Sequence, residues 1–205
     1  MSRTLIRLTA GLALVAGMIT GPGAGSVHAG NATTHAGTAT IHPHRIAGNL
    51  DQPVAFTFTP NGRIFYVEKA SGEIRLLNPA TDHKPLFFDV SHVLSDGERG
   101  MLGIALHPNY PQRPFVYVYA TRNVNGHARN QILKLTNVHG NGRHMKVIWS
   151  APAANGYHNG GRILFGPDGM LYAFMGDGHD SSNAQDLTNN DRGKLLRMTD
   201  RKSVV

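Results

Sequence analysis

The chain has 205 residues, 20 Lys and Arg against 13 Asp and Glu, a formal net charge of +7 and no cysteine. The absence of thiols excludes disulfides, thiolate metal sites and cysteine nucleophiles. The basic residues stand singly and form no run or helical stripe, so the charge describes a basic soluble protein and not a nucleic-acid partner.

Residues 1–29 read as a secretory signal. Arg3 and Arg7 form the positive start, Leu8 to Thr20 is apolar or small, and Val27-His28-Ala29 places a small residue on each side of a cleavage point. The apolar run is shorter than the roughly 20 residues that span a bilayer. The expected product is secreted or periplasmic, with no membrane attachment after cleavage. Residues 30–45, rich in Gly, Ala, Thr and His, read as a flexible lead-in whose His35, His42 and His44 are solvated.

From Ile46 the pattern is β. Val54, Phe56 and Phe58 alternate with small or polar residues, and a Thr59-Pro60-Asn61-Gly62 turn leads into Ile64-Phe65-Tyr66-Val67. Ser71-Gly72 turns the chain into Ile74-Arg75-Leu76-Leu77, and Asn78-Pro79 stops it. The turn recurs: His107-Pro108-Asn109 precedes Phe115–Tyr119, and Gly166-Pro167-Asp168-Gly169 precedes Leu171–Phe174. The prolines lie 48 and then 59 residues apart. That interval suits the roughly 40–50 residues of a four-stranded propeller blade better than the shorter turn spacing of a β-sandwich. The expected fold is all-β, a β-propeller with about three blades over 46–199, short of the about 4–8 that close a ring. Incomplete closure is expected to expose apolar side chains such as those of Phe56, Phe115 and Leu171. The last six residues, Asp200 to Val205, are what GATCGGAAGAGCGTCGTG encodes. That string resembles a sequencing adapter, so 200–205 read as a non-native tail and the chain as an N-terminal fragment.

Two segments carry chemistry. The first runs Gly97-Glu98-Arg99-Gly100-Met101-Leu102-Gly103 to His107-Pro108-Asn109-Tyr110. The second runs His158-Asn159-Gly160-Gly161-Arg162 through Gly166-Pro167-Asp168-Gly169 and Gly176-Asp177-Gly178 to Asn183-Ala184-Gln185-Asp186-Leu187 and Gly193-Lys194-Leu195-Leu196-Arg197. His158 is the candidate base, because an imidazole with a reference pKa near 6.5 can take a hydroxyl proton near neutrality. Asp177 can fix the imidazole tautomer and stabilise its cation. An ordinary Asp-Gly turn is compatible with that role. Arg162 is expected to pair with Asp168 or Asp177, and Gln185 and Asp186 to order a loop. Asp177, Asp180 and Asp186 lack the spacing of a calcium loop, so no metal ligand is assigned.

Together the two segments resemble the glucose/sorbosone dehydrogenase family, which contains soluble glucose dehydrogenases and aldose sugar dehydrogenases dependent on pyrroloquinoline quinone (PQQ). The resemblance implies a six-bladed propeller with PQQ in a cleft at its top, usually with calcium, whose ligands are expected outside this chain. It implies oxidation of an aldose to a lactone and an external electron acceptor. It makes His158 the catalytic base beside the cofactor and Asp177 its orienting partner. Arg99 stands where the glucose-specific members carry glutamine, and Tyr157 where they carry aspartate. The resemblance therefore leaves the particular sugar open. Arg99 is the candidate for a cofactor carboxylate, since its fork matches that group, with an outward-turned side chain as the equal alternative. As a truncated chain the protein is expected to be inactive. The rival readings are a non-catalytic propeller that binds a glycan or protein, and a calcium-dependent lactonase.

Overall fold

The computed structural model describes residues 42–188 and 190–199. The expected signal, most of the lead-in and the tail at 200–205 lie outside these residues. Eleven strands form three antiparallel sheets in chain order. The first is β1 (Pro53–Phe58), β2 (Ile64–Glu68), β3 (Glu73–Leu77) and β4 (Leu86–Asp89). The second is β5 (Met101–Leu106), β6 (Phe115–Val124), β7 (His127–Val138) and β8 (Asn141–Pro152). The third is β9 (Ile163–Phe165), β10 (Leu171–Phe174) and β11 (Leu195–Met198), and a short helix α1 (Ser182–Gln185) lies in the connection before β11. Within each sheet neighbours in sequence are neighbours in space, the meander of a propeller blade. Among the described residues no helix is long and apolar enough to cross a membrane.

The repeated turns sit at one equivalent place in each sheet, joining its first strand to its second. In the first sheet the Thr59 amide bonds Arg63 O at 2.8 Å and the Gly62 amide returns to Thr59 O at 3.0 Å. In the third, the Gly166 amide bonds Met170 O at 2.9 Å and the Gly169 amide bonds Gly166 O at 3.0 Å. Asp168 Oδ1 accepts the Met170 amide at 3.0 Å, an Asx turn that explains the Pro-Asp-Gly sequence.

The period of two along each strand puts alternate side chains against the neighbouring sheet. One apolar cluster joins the first and second sheets, with Phe65, Val67, Ile74, Val116, Val118, Leu133 and Leu135 all buried. A second joins the second and third sheets through Tyr117, Tyr119, Ile132, Trp149, Ile163 and Leu171. Each such side chain contributes about 1.5–3 kcal/mol on full burial. Residues 46–50 form no strand; Ala47 and Leu50 lie against Ile64, Tyr66 and Leu77 on the far face of the first sheet.

The expected set of exposed apolar residues is corrected in part. Phe56 is 64% exposed, as anticipated, but Leu171 is fully buried and Phe115 is partly buried against the second cluster. Leu171 and Ala173 face the second sheet, and the alternation turns Phe174 outward instead, together with Leu164 and Leu195.

Candidate active site

The loop 153–162, which links the second sheet to the third, carries His158. His158 has φ +54°, in the left-handed region that few non-glycine residues occupy and that costs on the order of 1–3 kcal/mol. Three contacts hold it there. Its amide donates to Glu98 Oε2 at 2.8 Å, its carbonyl accepts the Gly178 amide at 3.0 Å, and its Nδ1 lies 2.8 Å from Asp177 Oδ1.

The pair His158–Asp177 anticipated from sequence is therefore assembled. The bond from His158, followed by that from the His179 amide, holds the Asp177 carboxyl below the usual carboxylate range. An ionised carboxylate only accepts hydrogen bonds, so Nδ1–H is the donor and Nε2 is the nitrogen that can take a proton. The His158 side chain is 48% exposed and that of Asp177 30%. The imidazole is thus reachable and its carboxylate partner half-sheltered. The His179 ring stands 5.0 Å from that of His158, and Tyr157, itself exposed, lies edge-on to His179.

Close backbone approach makes this geometry possible. A Cβ on Gly176 would lie 1.8 Å from the His158 carbonyl oxygen, and one on Gly161, at φ +120°, would lie 2.4 Å from Leu102 Cβ. Only glycine lets β10 run so near the loop.

Arg99 does not present a vacant fork. Its guanidinium is bonded to both carboxylate oxygens of Asp96, at 3.1 Å from Nε to Oδ1 and closely from Nη2 to Oδ2. Its Nη1 lies 3.5 Å from Ala154 O. This ties the loop before β5 to the loop before β9, beside the bond from the Glu98 amide to Gly156 O at 2.6 Å. Lys69, just after β2, donates to Ser95 O and Gly97 O at 2.8 Å each. All three sheets thus contribute to the position of His158.

The expected pairing of Arg162 is overturned. Asp168 bonds Arg197 Nε and Tyr172 Oη, both at 2.9 Å, and Asp177 bonds His158. Arg162, the residue before β9, is exposed, and both carboxylates are engaged by other partners. Asp186 accepts the Thr188 amide at 3.1 Å and Asn190 Nδ2 at 2.9 Å, the loop-ordering part expected of it. Gln185 is exposed on α1. Among the described residues no group of three or more His, Asp or Glu side chains could hold a metal ion.

Asn159 was missed by sequence reasoning. It is 2% exposed. Its Oδ1 accepts Asn130 Nδ2 at 3.1 Å and the Ala154 amide at 3.0 Å, and its Nδ2 donates to Asn155 O at 3.0 Å and Tyr157 O at 3.2 Å. Its carbonyl accepts Tyr119 Oη at 2.9 Å. Thr121 Oγ1 donates to Asn130 Oδ1 at 2.7 Å and completes the knot. Burial pushes the Tyr119 hydroxyl pKa far up, so it stays a donor. Glu98 was also missed, because the amide it accepts lies 60 residues away at His158. The available signal was an amide amid glycines at 159 and a carboxylate in Gly-Glu-Arg-Gly.

Residues 50–205 match the glucose/sorbosone dehydrogenase family. The chain belongs to that family. Among other relatives of this glucose/sorbosone dehydrogenase family chain is quinoprotein glucose dehydrogenase B of Acinetobacter calcoaceticus, 27% identical over 143 residues, covering 64% of this chain and 30% of the relative. The Hedgehog-interacting protein of Mus musculus is 31% identical over 175 residues, covering 75% of this chain and 25% of the relative. The PQQ-bound aldose sugar dehydrogenase of Streptomyces coelicolor superposes with a TM-score of 0.70 at 31% identity, over 77% of this chain and 47% of that one. The chain thus spans less than half the length of each of these relatives. The three sheets are propeller blades, in agreement with the fold expected from the repeated turns.

Proposed function

We propose that this chain carries the proton-abstracting part of a PQQ-dependent aldose dehydrogenase, with His158 as the base and Asp177 as its orienting partner. The observation that carries the reading is the 2.8 Å bond between His158 Nδ1 and a carboxylate held in its ionised form, on a half-exposed imidazole. The donor set suits the base half of such a reaction. When bound, PQQ would supply the hydride acceptor. His158 Nε2 takes the anomeric hydroxyl proton of the sugar, and Asp177 stabilises the resulting imidazolium. Glu98 and Gly178 fix the His158 backbone, so the ring meets its substrate without reorganisation.

PQQ is a tricarboxylate, and its burial calls for opposing cations. The Arg99 fork is engaged by Asp96, so Arg99 could meet a cofactor carboxylate only by exchanging one partner for another. The likeness to a Hedgehog-interacting protein supports a second reading, a propeller that binds a protein partner. The His158–Asp177 pair favours the first reading, because a binding surface needs no oriented base. The test is dye reduction by a panel of aldoses with PQQ and calcium, run on a propeller restored to the length of its relatives and measurably active, and on its His158→Gln variant. A fall in turnover of about 10²–10⁴ is expected for loss of a general base. Equal turnover in the two proteins removes His158 from the chemistry, and PQQ-independent behaviour throughout favours the binding reading.

A further inference from the structure

We infer that the Lys194 ammonium serves as an internal cation that positions Asp177, by gathering the backbone carbonyls of the 183–192 loop around itself. The inference rests on the reading of His158 and Asp177 as the working pair.

Lys194 lies between Gly193 and β11, and its side chain turns back under α1. Its Nζ donates to Asn183 O at 2.6 Å, Arg192 O at 2.8 Å and Ala184 O at 3.3 Å. An ammonium has three donors and no acceptor, and here all three protons are directed at carbonyl oxygens. Two of those carbonyls belong to α1, which at four residues is too short to satisfy its own C=O groups. A cation at that end also suits the local dipole. The carbonyls converge on a positive centre that the chain supplies covalently.

The cage is coupled to the site. Asn183, whose carbonyl makes the shortest bond to the ammonium, donates its side-chain Nδ2 to Asp177 O at 2.8 Å. The Gly193 amide bonds Gly176 O, and the Met175 amide bonds Lys194 O, both at 2.9 Å. The backbone on each side of Asp177 is therefore tied to the stretch that Lys194 organises. Without the charge, three carbonyls face one another across the gap, the loop opens, and Asp177 loses its fixed distance to His158. Lys194 touches neither substrate nor base and is a positioning residue.

The experiment follows the Asp177 carboxyl carbon by NMR through an acid titration of the full chain. The bond from His158 holds this carboxyl below its ordinary value. Lys194→Ala should move the midpoint upward, toward an ordinary aspartate. Added propylammonium, which replaces the atoms removed, should move it back, while tetramethylammonium, a cation without N–H donors, should not. Asn183→Ala keeps the cage carbonyls but cuts the link to Asp177 O. It should raise the midpoint without rescue by propylammonium. An unchanged midpoint in Lys194→Ala, or a rise that propylammonium leaves in place, overturns the inference. If Lys194→Ala loses its strand circular dichroism, Asn183→Ala decides alone, and an unchanged midpoint there refutes the coupling. No quinone or sugar enters the measurement, so failure of the dehydrogenase reading leaves its outcome unaffected.

Discussion

Replacing Asn159 by leucine tests whether the buried amide knot holds the His158 loop. Leucine has the same number of side-chain heavy atoms and the same branching, with bulkier methyl groups in place of the amide, so the effect reports lost hydrogen bonds without cavity formation. Four polar groups lose their partner: Asn130 Nδ2, the Ala154 amide, Asn155 O and Tyr157 O. Asn155 and Tyr157 are exposed and their carbonyls can turn to water. Asn130 and Ala154 are 4% and 7% exposed, and their donors cannot. At about 1–3 kcal/mol for each buried group left unsatisfied, the cost is about 2–6 kcal/mol. That is a large share of the roughly 5–15 kcal/mol that stabilises a typical domain. Urea unfolding followed by Trp149 fluorescence measures it, since the Trp149 ring stacks on Tyr119 at 6.3 Å and reports the same region. A loss below about 1 kcal/mol would mean that the two donors find other partners and that the knot is not what fixes the loop.

Gly176→Ala should force the loop away from β10, because the added methyl would sit 1.8 Å from His158 O. The expected result is a lower urea midpoint and loss of the His158–Asp177 contact in an NMR titration; an unaltered titration would count against the close approach. Tyr119→Phe removes one bond to Asn159 O and should cost about 0.5–1.5 kcal/mol in the same unfolding assay. The Asp177, Asp168 and Asp96 carboxyls are all held low, first by His158, by the Met170 amide and by Arg99 respectively. Folded values below the unfolded ones add stability that is complete above the ordinary carboxylate range near 3.9 and is lost as the pH falls through the lower folded values. Urea midpoints should therefore drop on acidification through that window, and Asp177→Asn should flatten its share of the drop. We further propose cleavage near Ala29; mass spectrometry of exported protein should find an N-terminus close to Gly30.

The repeated Pro-Asn and Pro-Asp turns were legible because each fills the same structural slot, and a two-residue alternation beside them fixes a strand. His158 and Asp177 were legible because glycines flank both and their side chains meet across a single hairpin. Arg162 was misread because charge complementarity in sequence does not say which of several partners folding brings to a carboxylate. Asp168, in the β9–β10 turn, finds Arg197 on the neighbouring strand β11, a cross-strand pairing that depends on register. Asn159 escaped notice because its value lies in burial, which the Gly-rich string around it conceals. Arg99 was read as a ligand fork, yet the carboxylate it pairs with stands three residues behind it at Asp96.

Antiparallel order has a practical consequence. The turns that join the first strand of each blade to the second all emerge at one end. The loops carrying Lys69, Glu98, His158 and Asp177 emerge at the other. The Asn61-Gly62 turn is exposed, and nothing lies within 4 Å of a Cβ at Gly62. A linker, tag or solid support attached there would anchor the molecule from below, and the face that carries the His158–Asp177 pair would stay turned toward solution.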